Sequence, residues 1–186
     1  MSMGFRLASV KDLITRIEDR EMGEWEKEPD EMSFTDETTS FPITLKRHSS
    51  SKHWCAYIGV PIDHPWQGKE YSAPVLAPEA LTENTINVDE IGAINLLCAS
   101  ASSNPDQNIY PIDVLVRCHG GLTFSGKAYW EESRADWWFG FDCAHDGDLV
   151  PGHPYAHDRD VYRNLDYVKE CAIKAAGDIA LAMVTE

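Results

Sequence analysis

"IDVLVRCHGGLTFSG", Ile112 to Gly126, is the stretch on which the fold turns. Ile112, Val114, Val116 and Cys118 alternate with Asp113, Leu115, Arg117 and His119. A period of two is the signature of a strand with unlike faces, and paired glycines at 120 and 121 would end it in a turn. "LTFSG" then reads as a second strand and "DWWFGF", Asp136 to Phe141, as a third. Antiparallel pairing is the economical arrangement for strands joined by short connections.

Working outward, "WCAYIGV" (Trp54 to Val60) reads as the first strand, entered through the polar linker "HSSSKHW". "PIDHPWQGKEY" carries two prolines and a glycine and is expected to be a loop. Ile91 to Ala99 fits helix or strand equally, and "SASSNPDQN" is loop. From Arg163 to Val184 the residues Leu165, Val168, Ala172, Ala175, Ala176, Ile179 and Met183 recur at helical spacing and predict one long helix. Ser9 is placed to cap a short first helix with Leu13, Ile14 and Ile17 on one face. The expected class is α+β: a single domain with a twisted antiparallel sheet and helices packed mainly on one side.

Glu18 to Glu37 holds ten acids against Arg20 and Lys27, with Trp25, Met32 and Phe34 interspersed. Such density repels itself and predicts a solvated helix end and loop, dispensable for folding, while Trp25, Met32 and Phe34 leave part of the segment able to dock on the body. The chain is therefore divided into an acidic N-terminal helix and arm, 1–47, and an α+β core domain, 48–186. Over the 186 residues, 31 acids against 16 bases leave a formal net charge of −15, which opposes nucleic-acid binding. No apolar run is long enough to span a membrane, and no secretory leader is evident, so the expected setting is cytoplasmic. Five cysteines without a CxxC pair read as small buried hydrophobes.

The common catalytic signatures are absent. His119-Gly120-Gly121 has the look of an esterase oxyanion loop, but no GxSxG follows. There is no phosphate-binding GxxxxGK[ST], no GxGxxG and no HExxH. What remains is local. His119 stands at a glycine turn, and Asp142, His145, Asp146 and Asp148 follow a strand expected to pair nearby. Two histidines with two or three carboxylates suit a divalent metal that polarises a phosphate oxygen. Alternatively, His119 and His145 serve as acid and base without metal. The plain structural alternative has Asp142 capping the turn and His145 bonded to a carbonyl. Trp137, Trp138, Phe139 and Phe141 are expected mainly in the core, while Tyr57, Trp66 or Tyr71 could stack a base. The rigid loop with His64, Pro65, Trp66, Gly68, Lys69 and Tyr71 is a ligand-side candidate, Lys69 offering a cation to a phosphate. His153 and His157 are expected in solvent.

"YIGVPIDHPWQGKEY", "CHGGLTFSG", "WWFGFDCAHDGD" and "YRNLDYVKEC", in that order, resemble a family of small bacteriophage and prophage proteins patterned GVPxxHPxxGKxY, HGGLT[FY]xG, WWFGFDCAHxGD and YRxLxYV. The likeness covers roughly Cys55 to Cys171, leaving out the acidic arm and Ser72 to Asn108. It implies a phage origin and names no reaction. It marks His64, Gly68, Lys69, Tyr71, His119, Gly120, Gly121, Thr123, Asp142, His145, Gly147, Asp148, Tyr162 and Tyr167. Combined with the chemistry above, His119, Asp142, His145 and Asp148 are the catalytic candidates. His64, Lys69, Tyr71, Gly120, Gly121, Thr123 and Tyr162 are the ligand-binding candidates.

Two functional classes follow. One is an accessory protein whose pocket sequesters or hydrolyses a small anionic ligand, such as a nucleotide immune signal, with a phosphoesterase among the activities. The other is an acidic inhibitor that mimics nucleic acid against a host defence nuclease, for which the −15 charge speaks.

Overall fold

The computed structural model of the chain describes residues 23–82, 103–128, 130, 134–154 and 156–184. Five strands form the main antiparallel sheet: β1 (Glu31–Thr35), β2 (Pro42–Arg47), β3 (Trp54–Val60), β6 (Phe124–Gly126) and β7 (Trp137–Asp142), in the order β1-β2-β3-β7-β6. A small second sheet pairs β4 (Pro74–Leu76) with β5 (Ile109–Pro111). Among the described residues the α-helices are two single turns, α1 (Glu79–Thr82) and α2 (Ile112–Leu115), and one long helix, α3 (Leu165–Ala180), continued by a 3-10 turn to Met183. The fold is single-domain α+β, as the sequence predicts.

Register explains the core. Ile43 faces Ile58, Leu45 faces Ala56 and Ala56 faces Phe141, so one side of the sheet is a continuous apolar surface. α3 lies against β3 and β2 on that side, and Val168, Ala172, Ala175, Ala176 and Ile179 of its stripe are fully buried. Asn164 caps it, its side chain accepting the Tyr167 N–H at 3.0 Å. On the opposite side Trp138 is shielded by Trp130, with ring centroids 5.2 Å apart, and its Nε1–H donates to the Ala135 carbonyl. Both faces of β7 are thus buried around its centre, and the aromatics there are core as expected.

Three expectations are corrected. Ile112 to His119 is not a strand: Ile112, Asp113, Val114 and Leu115 form one helical turn with all four residues buried. The alternation did not divide an inside from an outside, because Asp113 is as hidden as its apolar neighbours. The Ile112 and Asp113 N–H groups instead bond the Ala73 and Tyr71 carbonyls, and the chain runs on to the Gly120-Gly121 turn. Second, β3 is not the first strand. Residues 31–47 supply β1 and β2, and "HSSSKH" is the connection between β2 and β3 rather than a linker. A boundary at residue 47 would cut between two paired strands. Third, the acidic arm is not wholly solvated: Met32 and Phe34 of β1 pack on the core, and Glu28 is bound to the body. The first predicted helix and Ile91 to Ala99 lie outside the described residues.

Candidate functional site

α3 carries a polar stripe beside its apolar one. Tyr167, Cys171, Lys174 and Asp178 recur at helical spacing and so lie along one face. The segment 117–120 is clamped to that face at two points. Arg117 donates through Nε and Nη2 to the Asp178 carboxylate at 3.0 and 2.6 Å, with its backbone N–H adding a third bond at 2.9 Å. Two residues on, the Tyr167 hydroxyl meets His119 Nδ1 at 2.9 Å.

The turn after β7 closes the other side. Asp142 Oδ1 accepts the Ala144 N–H and Asp148 Oδ2 accepts the His145 N–H, which shapes residues 142–148 into a tight loop. That loop buries the Asp148 side chain to 1% exposure. Asp148 Oδ2 lies 2.7 Å from His119 Nε2, and Oδ1 accepts Arg163 Nε at 2.8 Å. Burial pushes the Asp148 carboxyl up, but hydrogen bonds from His119, Arg163 and the His145 backbone outweigh it and hold the group below the usual carboxylate range. Asp148 is thus a carboxylate, and His119 Nε2 is its donor.

His145 completes the group. Its ring centroid is 5.4 Å from that of His119, and its Nε2 is 3.9 Å from Asp142 Oδ1. That nitrogen is buried with no hydrogen-bond partner among the described residues. It presses on Gly120, whose φ of 66° and bare Cα the contact requires: a Cβ there would overlap the imidazole. His119, His145 and Asp148 are thus brought together, while Asp142 stands behind His145 and faces a separate hollow. Between the two histidines and α3 lies a cleft of about 350 Å³ lined by Arg117, His119, Gly120, His145, Arg163, Tyr167, Cys171 and Lys174, with Asp146 at its edge. Neither Lys69 nor Tyr71 reaches its rim. Among the described residues the His145 ring bonds no carbonyl, whereas Asp142 does cap its turn.

The ligand-binding candidates divide. Gly120 lines the cleft, and Gly121 (φ 84°) makes the turn beside it. The others stand elsewhere. His64 is buried in the core, its Nε2–H donating to the Ile179 carbonyl at 3.0 Å and its Nδ1 accepting the Trp66 N–H. Burial lowers its pKa and keeps it neutral, so it ties the 61–69 loop to the end of α3 and faces no ligand. Lys69 borders a separate cleft with Trp66, Pro74 and Leu181, while Tyr71 packs on the core. Trp66 itself is 2% exposed and unavailable for stacking. Thr123 donates to Asp142 Oδ2 at 2.9 Å on the far side of that turn, in a hollow with His53, Cys55 and Tyr57. Tyr162 donates to Glu28 at 2.6 Å.

Arg117, Arg163, Lys174 and Cys171 are cleft residues that motif reading passed over. The signal was present for all four, since Cys171 and Lys174 share a helix face with Tyr167, Arg117 is two residues from His119, and Arg163 stands in the YRxLxYV pattern. Metal binding gains no support. Among the described residues no three His, Cys, Asp or Glu side chains are grouped to hold an ion, and both ring nitrogens of His119 are already committed. A larger cleft, about 590 Å³, lies between Trp25 and Pro151–Pro154, with Glu26, Glu28 and Asp30 set among Arg47 and Lys52. Its mixed charges select no ligand.

Compared with models of protein families, with curated proteins and with solved structures, the chain matches none. No described helix is long and apolar enough to cross a membrane.

Proposed function

We propose that the protein binds a small anionic ligand of about mononucleotide size in the cleft between residues 117–120, the 142–148 turn and α3, and sequesters it. One observation carries this reading. In a chain of net charge −15, Arg117, Arg163 and Lys174 gather with two histidines around one hollow of about 350 Å³. Ligand clefts of this kind start near 300 Å³, the size of a nucleotide monophosphate. Arg163 gives only its Nε to Asp148, so its Nη groups can meet phosphate oxygens, and lysine offers a mobile point charge. Sequestration is favoured over hydrolysis because His119 spends both nitrogens on Asp148 and Tyr167, leaving none to activate water. The likeness to phage-encoded proteins makes a nucleotide signal of a bacterial defence system the first ligand class to try.

The test is equilibrium dialysis of the full chain against nucleoside monophosphates and cyclic nucleotides, followed by chromatography of the recovered ligand. The expected result is unchanged nucleotide retained by the protein. Lys174→Glu, at an exposed position, should weaken retention at least about tenfold by placing a charge against the anion. Retention unaffected by Lys174→Glu would remove the cleft from consideration. Conversion of the nucleotide to product would replace sequestration by catalysis.

A further inference from the structure

The face of the main sheet turned away from α3 carries a second hollow, and strand register builds it. Directly paired residues lie side by side on one face of a sheet. Asp142 is paired with Cys55, and Gly140 lies between Tyr57 and Phe124, so these side chains stand together. Gly140 puts nothing between the two rings, which meet edge to face with centroids 5.4 Å apart at 88°. A Cβ there would fall 2.9 Å from Tyr57 Cδ1 and crowd that ring. At the end of β7, Thr123, Ala144 and the connection carrying His48 and His53 enclose about 380 Å³, a volume within the range of small-molecule sites.

The chemistry here is opposite to that of the anion cleft. Among the described residues that line the hollow, Asp142 is the acid and there is no lysine or arginine. Asp142 Oδ1 accepts the Ala144 N–H at 3.1 Å and Oδ2 the Thr123 hydroxyl at 2.9 Å, which fixes the carboxylate in place. Burial pushes the Cys55 thiol up to about 11 and the Tyr57 phenol above its usual range, so both keep their protons.

His53 supplies a second acceptor. His48 Nδ1 accepts the Ser51 N–H at 3.4 Å and so holds a lone pair, with the Ser50 and Ser51 hydroxyls 3.3 and 2.7 Å from it. Ser51 Oγ therefore gives its hydrogen to His48 and takes one from His53 Nδ1, 2.9 Å away. The two imidazoles stack at 7°, which holds the His53 ring in position. Burial lowers the His53 pKa and keeps the ring neutral, so Nε2 has a lone pair that no described residue bonds.

A fixed carboxylate, an imidazole lone pair and two aromatic walls suit a ligand with charged N–H donors at one end and carbon at the other. The chain shows the same preference beside the hollow. The Lys46 ammonium lies 5.0 Å over the Trp130 ring, whose centroid is 4.9 Å from that of Tyr57. That lysine is itself matched by Glu31 at 3.2 Å. We infer that the hollow binds a small primary amine as its ammonium, held by Asp142 and His53 with its carbon body along Tyr57 and Phe124. The net charge of −15 draws such a cation in, and the site stands independently of the anion cleft.

The test titrates benzylamine into the full chain by calorimetry at about pH 7.5, where an alkyl amine is charged. Benzyl alcohol, of the same shape without the charge, is titrated beside it. The expected result is one benzylamine per chain, bound at least about tenfold more tightly than the alcohol. Asp142→Asn keeps an acceptor for the Ala144 N–H, removes the charge and should lose the same factor. Phe124→Leu should weaken benzylamine severalfold by removing an aromatic wall. Benzyl alcohol that binds as tightly as benzylamine overturns the inference, because the hollow is then indifferent to charge. Equal benzylamine binding by wild type and Asp142→Asn places the cation on the acidic surface at large and overturns it too, as does no binding at all. Should Asp142→Asn not fold, Phe124→Leu decides, and an affinity that it leaves unchanged removes the amine from this hollow.

Discussion

Asp113 is 5% exposed, and its Oδ1 has no hydrogen-bond partner among the described residues. Burial pushes its carboxyl up to about 6, only partly opposed by the backbone N–H groups of Val114 and its own residue. The sign follows from proton counting. The folded state holds this proton more tightly than the unfolded chain, so stability falls as pH rises between about 4 and 6 and is not regained above that. A carboxyl held at about 6 in place of its ordinary value corresponds to about 3 kcal/mol. Asp113→Asn should therefore stabilise the protein above pH 6 and not at about pH 4, measured by urea unfolding at both. Equal effects at the two values would show that the carboxyl is not strained when charged. Gly120 makes the opposite case. Gly120→Ala should displace the His145 ring, lowering the melting temperature and weakening anion binding together; a variant normal in both would mean that the ring moves aside freely. Residue type alone located His119 and His145, because two polar rings beside glycines need a reason. The same logic misplaced His64. A histidine that satisfies both nitrogens within the core has the same letter as one that faces a ligand, and only its partners 2 and 115 residues away distinguish them.

Elements were legible where burial follows period. α3 shows its stripe because one face meets the sheet, and β3 and β7 announce themselves through branched and aromatic side chains. β1 and β2 were obscured by the acids around them, although Met32 and Phe34 alternate with exposed positions; in β2 the period is hidden further, because Thr44 between Ile43 and Leu45 is buried too. The connection of the arm to the body was beyond local reading. Glu28 Oε2 accepts from Arg47 (2.7 Å), Trp54 Nε1 (3.0 Å) and Tyr162 (2.6 Å), while Oε1 accepts the Leu165 N–H at the start of α3 (2.8 Å). Burial raises this carboxyl, but those donors and the Arg47 charge bring it below its ordinary range, so the contribution is present at neutral pH and is lost as acid protonates it. Arg47 is 3% exposed and would be left without its counter-charge in Glu28→Gln. That substitution should destabilise by about 3 kcal/mol at neutral pH and by much less at about pH 3, followed by urea melts. Equal stability of wild type and variant at neutral pH would mean that the arm is the dispensable appendage its composition suggests.

At the scale of the whole molecule, charge works against the cleft. The field of 31 acids repels an approaching anion, while the cations that would hold it act only at contact. Salt separates the two, since the screening length shrinks from about 30 Å at 0.01 M to about 10 Å at 0.1 M. Association of an anionic ligand should therefore speed up over that range, measured by stopped flow, where a protein with a basic surface would slow down. A monotonic fall would mean that the carboxylates lie too far from the entrance to matter. Total charge was plain in the sequence; its placement was not, because the cations of the cleft come from segments 117, 163 and 174 that only the fold brings together. The fold joins distant parts of the chain as well. Glu28 is bonded to Leu165 across 137 positions, and His64 to Ile179 across 115. During synthesis the sheet leaves the ribosome before the helix that covers it, so Ile43, Leu45, Trp54 and Ile58 have no lid until Leu165 to Ala180 has been made. A nascent chain stalled before Leu165 is then a ready client for chaperones and proteases, because the apolar side of its sheet is still bare.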